Sequence, residues 1–148
     1  MITERYIRMC IASDEIQELW NPKVGDYFYN ADRPAVGLVT NIAEDGLVSA
    51  TYLQITYDKY ESKNVLGIVG NIHRLKGTKF WLPTQSQLRS MITDKGYFRF
   101  SLIELFYRFA NANADKFSSM DEIWLAFVMK MLYNKVWDDE KDQWIKEV

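Results

Sequence analysis

The densest periodic signal in the chain lies in residues 119–135. There Ile123, Trp124, Phe127, Val128, Met131 and Leu132 recur at helical spacing, while Leu125, Ala126 and Met129 fill most of the opposite side. Only Lys130 interrupts, so the pattern predicts a helix surrounded by protein on nearly all sides. Ser119 and Glu122 stand at capping-box spacing, in which each side chain satisfies the other's backbone N–H, and they set the helix start. Its apolar faces exceed what a chain of this size readily covers, which predicts a homo-oligomer, most simply a twofold dimer.

In chain order, residues 3–20 read as one helix with Tyr6, Met9, Cys10, Ile16, Leu19 and Trp20 on its inner face, ended by Pro22. The period then changes. Tyr27, Phe28 and Tyr29 form a short strand, and Val36, Leu38, Thr40 and Ile42 alternate in a second. Glu44-Asp45-Gly46 turns the chain into a third strand, residues 47–57, whose apolar phase slips near Tyr52 and predicts a β-bulge. Residues 58–64 read as a polar loop, 65–72 as a strand, and Lys76-Gly77 as a turn into Phe80-Trp81-Leu82. Pro83 closes this region. Capping boxes at Thr84/Gln87 and Ser101/Glu104 predict two further helices, with Leu88, Met91 and Ile92 inside the first and Leu102, Leu105, Phe106 and Phe109 inside the second. Lys95-Gly96 stops the former, and residues 111–115 form the loop into the 119–135 helix. In the tail, Trp137 and Trp144 flank an acidic turn; a hairpin covering that helix competes with a fourth short helix. The expectation is one α+β domain, residues 1–148: an N-terminal helix and a curved antiparallel sheet or small open barrel (1–82), then a helical unit (83–148).

Composition narrows the class. At 148 residues, 48% hydrophobic and 26% charged, the chain has the makings of a folded protein with a core that needs no metal or disulfide. Its single cysteine, Cys10, excludes an internal disulfide and points to a reducing compartment. Glu4, Arg5 and Arg8 break up the N-terminus, so there is no signal-peptide core, and no run is long enough to span a membrane. The expected location is the cytoplasm.

Catalytic patterns do not emerge. His73 is the only histidine, so no Cys/His zinc cluster forms, and no serine sits in a nucleophile elbow. Gly67-Ile68-Val69-Gly70 lacks the rest of a phosphate loop. Asp138, Asp139, Glu140 and Asp142 read as a solvated turn, since no glycine provides the bend of a calcium loop. No cofactor is expected, and a non-enzymatic role is favoured. One segment departs from the background: residues 73–99 carry Arg74, Lys76, Lys79, Arg89, Lys95 and Arg99 against Asp94 alone, on a chain of net charge −2. Arg74 and Lys76 on one strand face, Lys79 from across a hairpin, Arg89, and an exposed aromatic, Trp81 or Tyr97, make a candidate edge for an anion or nucleotide. The competing reading is a set of solvated charges paired with the acidic N-terminal helix or tail.

The motifs W-L-P-T-Q-S-Q-L at 81–88 and I-W-L-A-F-V-M-K at 123–130, followed by Tyr133, Lys135, Trp137, Asp138 and Glu140, resemble a group of small uncharacterised proteins of bacteriophages and prophages, mostly of Gram-positive bacteria. The E-I-Q-E-L-W run at 15–20 with Gly25-Asp26 resembles the same group's N-terminus. The likeness fades between residues 30 and 69, and Asp139 and Asp142 lengthen the tail's turn. The resemblance implies a phage context in the host cytoplasm and carries over no site residue. Three functions stay open: an accessory protein that binds and neutralises a host component, either a defence protein or a phosphate-bearing nucleotide signal; a nucleic-acid-binding module using the sheet and basic edge; and an enzyme of unrecognised type.

Overall fold

The alternation between residues 27 and 56 becomes part of a five-stranded antiparallel sheet in a computed structural model that describes residues 2–56, 59–97 and 99–148. Its strands are β1 (Tyr27–Asn30), β2 (Ala35–Ile42), β3 (Leu47–Thr56), β4 (Lys59–Asn71) and β5 (Lys79–Leu82), in the order β4-β3-β2-β1-β5. The sheet is curled, and with the helices it makes an α+β fold. Register shifts at Val39/Asn41, Val48/Ser49 and Tyr52/Gln54 add local twist, the last coinciding with the phase slip in the sequence. The chain divides into two units, Asp14–Pro83 and Met1–Ser13 with Thr84–Val148.

In the sheet unit, Phe28 is central. Its ring stacks on Trp20 at 6.3 Å and meets the Tyr52 edge at 6.0 Å. A Cβ at Gly37, its cross-strand neighbour, would run into the Phe28 ring, so only glycine fits there. Asp26 fixes the entry to β1 by accepting from the Trp20 indole at 3.2 Å and the Lys23 N–H at 2.9 Å. Two expectations change. Residues 59–64 are strand rather than loop, because their backbone extends the ladder with β3; Tyr57 and Asp58 lie outside the described residues. Nor do β4 and β5 form a hairpin. Asn71 caps a 3-10 turn, Ile72–Arg74, and β5 then pairs with β1, its backbone at Trp81 held on both sides by the Gln17 amide at 2.7 and 2.9 Å.

The expected helix over 3–20 is two, α1 (Glu4–Ile11) and α2 (Asp14–Glu18). The Ser13 hydroxyl donates to the Cys10 carbonyl at 2.8 Å and helps end the first. Leu19, assigned to the inner face, is 54% exposed. The first helix belongs to the helical unit.

That unit adds α3 (Gln85–Thr93), α4 (Arg99–Asn113), α5 (Met120–Tyr133) and the hairpin β6 (Lys135–Asp138) and β7 (Gln143–Lys146). The Thr84/Gln87 box is complete. The Ser101/Glu104 box is not formed: α4 starts before Ser101, and Glu104 instead pairs with Arg108 one turn on, at 2.7 Å. Leu102 is buried in α4, Phe106 and Phe109 are half-buried, and Leu105 is exposed; the helix also absorbs most of the expected 111–115 loop. Asn134 ends α5 in the left-handed conformation, with φ of 53°. The tail is the hairpin, not the helix. Trp137 and Trp144 face each other across it at 5.2 Å, and the Trp144 indole donates to the Met9 carbonyl at 3.0 Å. Asp139 and Asp142 pair with Arg5 and Arg8.

Along α5, Ile123, Leu125, Ala126, Phe127, Val128 and Met129 are buried, with α1, α3, α4 and β6 against it. The helix is therefore covered largely within its own unit. Its start is fixed by Glu122, a charged residue with no solvent exposure. The Ser119 hydroxyl accepts from the Glu122 N–H at 3.2 Å, as a capping residue should. The carboxylate, however, takes no part in the reciprocal half of a capping box. It accepts from Thr3 Oγ1 (2.5 Å), Ser118 Oγ (2.9 Å), Ser119 Oγ (3.1 Å), Arg5 Nη1 (3.2 Å) and the Ser118 N–H (3.3 Å). Burial acts to raise the Glu122 pKa, but the hydrogen bonds from Thr3, Ser118 and Arg5 together outweigh it and hold the carboxyl below its ordinary value.

A pKa depressed by folding gives stability that is complete above the unfolded value, about 4.3, and is lost as the pH falls through the folded value. Glu122→Gln should therefore cost roughly 1–3 kcal/mol at pH 7 by leaving buried donors poorly matched. Its melting temperature should converge on that of the wild type in acid. Thermal unfolding at pH 7 and pH 3 measures this, and an equal gap at both would contradict it.

Candidate binding groove

The six residues proposed as an anion-binding edge divide between the two units. Arg74, at the end of the 3-10 turn, and Lys76, two residues on, are exposed but stand in no strand. Lys79 opens β5, is largely buried, and pairs with Asp32 at 2.8 Å. Its hydrogen bond holds the Asp32 carboxyl below the usual range. Trp81 is buried, with no partner for its indole N–H among the described residues, so it offers no stacking face. These four belong to the sheet unit, whereas Arg89 and Tyr97 belong to the helical unit. In the acidic tail, Asp139 pairs with Arg5 and Asp142 with Arg8.

Arg89 and Tyr97 do come together, in a groove of ≈ 940 Å³ on the helical unit. Helix α3 contributes Arg89, Ser90 and Thr93, Tyr97 follows it, α4 contributes Leu102, Ile103, Phe106, Tyr107 and Ala110, and α5 contributes Trp124. Position on α3 follows from its capping box: with Leu88 and Ile92 turned into the core, Arg89 and Thr93, four residues apart, share the outer side. Gly96, in the left-handed region with φ of 91°, stops the chain just before Tyr97. The wall is rigidly aromatic. Phe106 stacks on Trp124 at 3.9 Å, and both rings meet Phe127 edge-on at 5.3 and 5.9 Å. Trp124, expected inside the core, is only half-buried because it forms this wall.

At the groove's α4 side, Ile103 and Tyr107, which line it, continue with Phe100 as a solvent-facing row, at 65%, 66% and 88% exposure. Their i, i+3, i+7 spacing is a second apolar stripe, on the side away from Leu102 and Phe109. That double stripe is the signal in the sequence that locates this surface, and reading α4 for one inner face misses it. Contiguous exposed apolar surface of this kind marks interaction sites. Cys10 contributes nothing to the groove; it is fully buried, and burial pushes its thiol far above the ordinary value.

No protein-family model, curated protein or solved structure matches the chain.

The contrast between the lysines is testable. Lys76→Glu should change stability by less than about 0.5 kcal/mol, as exposed substitutions do. Lys79→Glu should lower the melting temperature clearly, since it places a carboxylate against Asp32 in a largely buried position. Thermal unfolding of the two variants side by side decides this, and equal melting temperatures would contradict the ion pair's role.

Proposed function

We propose that the chain is a non-catalytic accessory protein of a bacteriophage or prophage that binds a host component, a defence protein or a nucleotide signal, and neutralises it. The observation that carries this reading is the groove: a concave aromatic surface with one cation among its described lining residues, continuous through Ile103 and Tyr107 with the exposed Phe100 on α4. Surfaces of this composition hold partners, and rigid aromatic anchors beside an arginine are where binding energy concentrates. The phage context rests on the resemblance of the motifs at 81–88 and 123–130. A nucleic-acid-binding role is the weaker reading, because the basic turn at Arg74 and Lys76 lies beside a buried rather than an exposed Trp81.

Native mass spectrometry of the protein recovered from infected and uninfected host cells tests this. The expected result is a protein or small-molecule adduct on the wild type that is lost from Arg89→Glu/Tyr107→Ala, together with loss of any advantage to the phage in plating assays. A double variant that retains both adduct and plating advantage would refute the groove as the capture surface.

A further inference from the structure

We infer that the groove is a nucleotide-class site, taking a planar aromatic body that carries an anion and hydrogen-bond donors. This deepens the proposed function and rests on the groove being its binding surface. Charge complementarity comes first. Among the described residues ten line the groove, Arg89 is the one charged side chain of these and none is a carboxylate, and Arg89 forms no ion pair. A cationic occupant would meet repulsion there, and a wholly apolar one would strip water from the guanidinium without replacing its hydrogen bonds. An anion with two or three oxygens, such as a phosphate, matches the guanidinium fork.

The hydroxyls beside Arg89 sharpen the class. Ser90 donates to the Ser86 carbonyl at 3.0 Å, and Thr93 donates to the Ser90 carbonyl at 3.1 Å. Each hydroxyl has a single hydrogen, so both present only acceptor lone pairs to the groove. An occupant that brings donors, as ribose hydroxyls or an exocyclic amine do and a fatty acid chain does not, can use these acceptors. The aromatic side of the groove supplies the remaining recognition. Tyr97, Tyr107 and the Phe106–Trp124 pair offer ring surface to a planar base, which stacks on aromatics without sequence-like constraint. A volume of ≈ 940 Å³ lies within the range of about 300–1,000 Å³ usual for small-molecule sites.

Isothermal titration of the full-length protein with a panel of nucleoside 5′-monophosphates and cyclic dinucleotides tests the assignment. Matched nucleosides lacking phosphate and the aromatic sulfonate 8-anilinonaphthalene-1-sulfonate serve as comparison ligands. At least one phosphate-bearing ligand should bind at micromolar concentration, its nucleoside at least tenfold more weakly. Arg89→Gln and Tyr107→Ala should each weaken binding at least tenfold without lowering the melting temperature, and Lys141→Gln on the tail turn, which does not line the groove, should change nothing. Overturning results are no binding across the panel, equal affinity for nucleotide and nucleoside, or binding of the sulfonate alone. Capture of a host protein through the same groove, without nucleotide affinity, would overturn this inference and leave the proposed function standing. Nucleotide binding with no captured host component and no effect on phage plating would do the reverse.

Discussion

A carboxylate shut away from water sets the terms of the helical unit. Glu122 sits at the first turn of α5 with no exposure, and an ionised group in that position is tolerable only if its oxygens are fully engaged. The groups that engage it come from two places: Ser118 and Ser119, just before the helix, and Thr3 and Arg5, at the start of α1. The N-terminal segment is thereby tied to a helix more than a hundred residues later. Arg5 extends the tie, since its guanidinium also donates to the Lys116 carbonyl at 3.1 Å and to Asp139 in the tail hairpin at 3.2 Å. The negative charge also lies at the helix N-terminus, where the backbone dipoles favour it.

The groove is a consequence of how α5 is covered. Its sides toward α1 and the tail hairpin are closed by those elements, and Trp144 bonds directly to the α1 backbone. Helix α3 closes another side, and toward α4 Trp124 and Phe127 meet the Phe106 and Phe109 rings. The concave surface lies between α3, α4 and the Trp124 ring, with Arg89 and two half-committed hydroxyls on its α3 side. The chemistry of the site thus follows from fold constraints: Leu88 and Ile92 must face the core, and their neighbours on α3 must therefore face out.

What was legible in the sequence was local. The Thr84/Gln87 box, the β2–β3 hairpin at Asp45-Gly46, the bulge near Tyr52, the burial of α5 and the Trp137/Trp144 hairpin all depend on residues within a few positions of one another. Pairing of β5 with β1 was not legible, because it depends on Gln17 and on the turn after Asn71, each far from Trp81 in the chain. Glu122 shows the same limit from the other side: its spacing from Ser119 reads as a capping box, but donors at Thr3 and Arg5 redirect its carboxylate. At the candidate site, charge segregation pointed to Arg89 and Tyr97. It also pointed to Lys79 and Trp81, which folding commits to an ion pair and to the interior. Ser90, Thr93, Tyr107 and Trp124 carried no signal as a group, since three separate helices bring them together.

The claim on which this account depends is that α1 and α5 form one cooperative element joined at Glu122. Native-state hydrogen exchange tests it directly, because amides released only by global opening report the stability of the unit that holds them. The account predicts that amides of residues 125–129 in α5 and 7–10 in α1 exchange with the same free energy, above that of α4. It predicts also that Glu122→Gln lowers both sets equally. Loss of protection in α5 alone, with α1 unchanged, would contradict it.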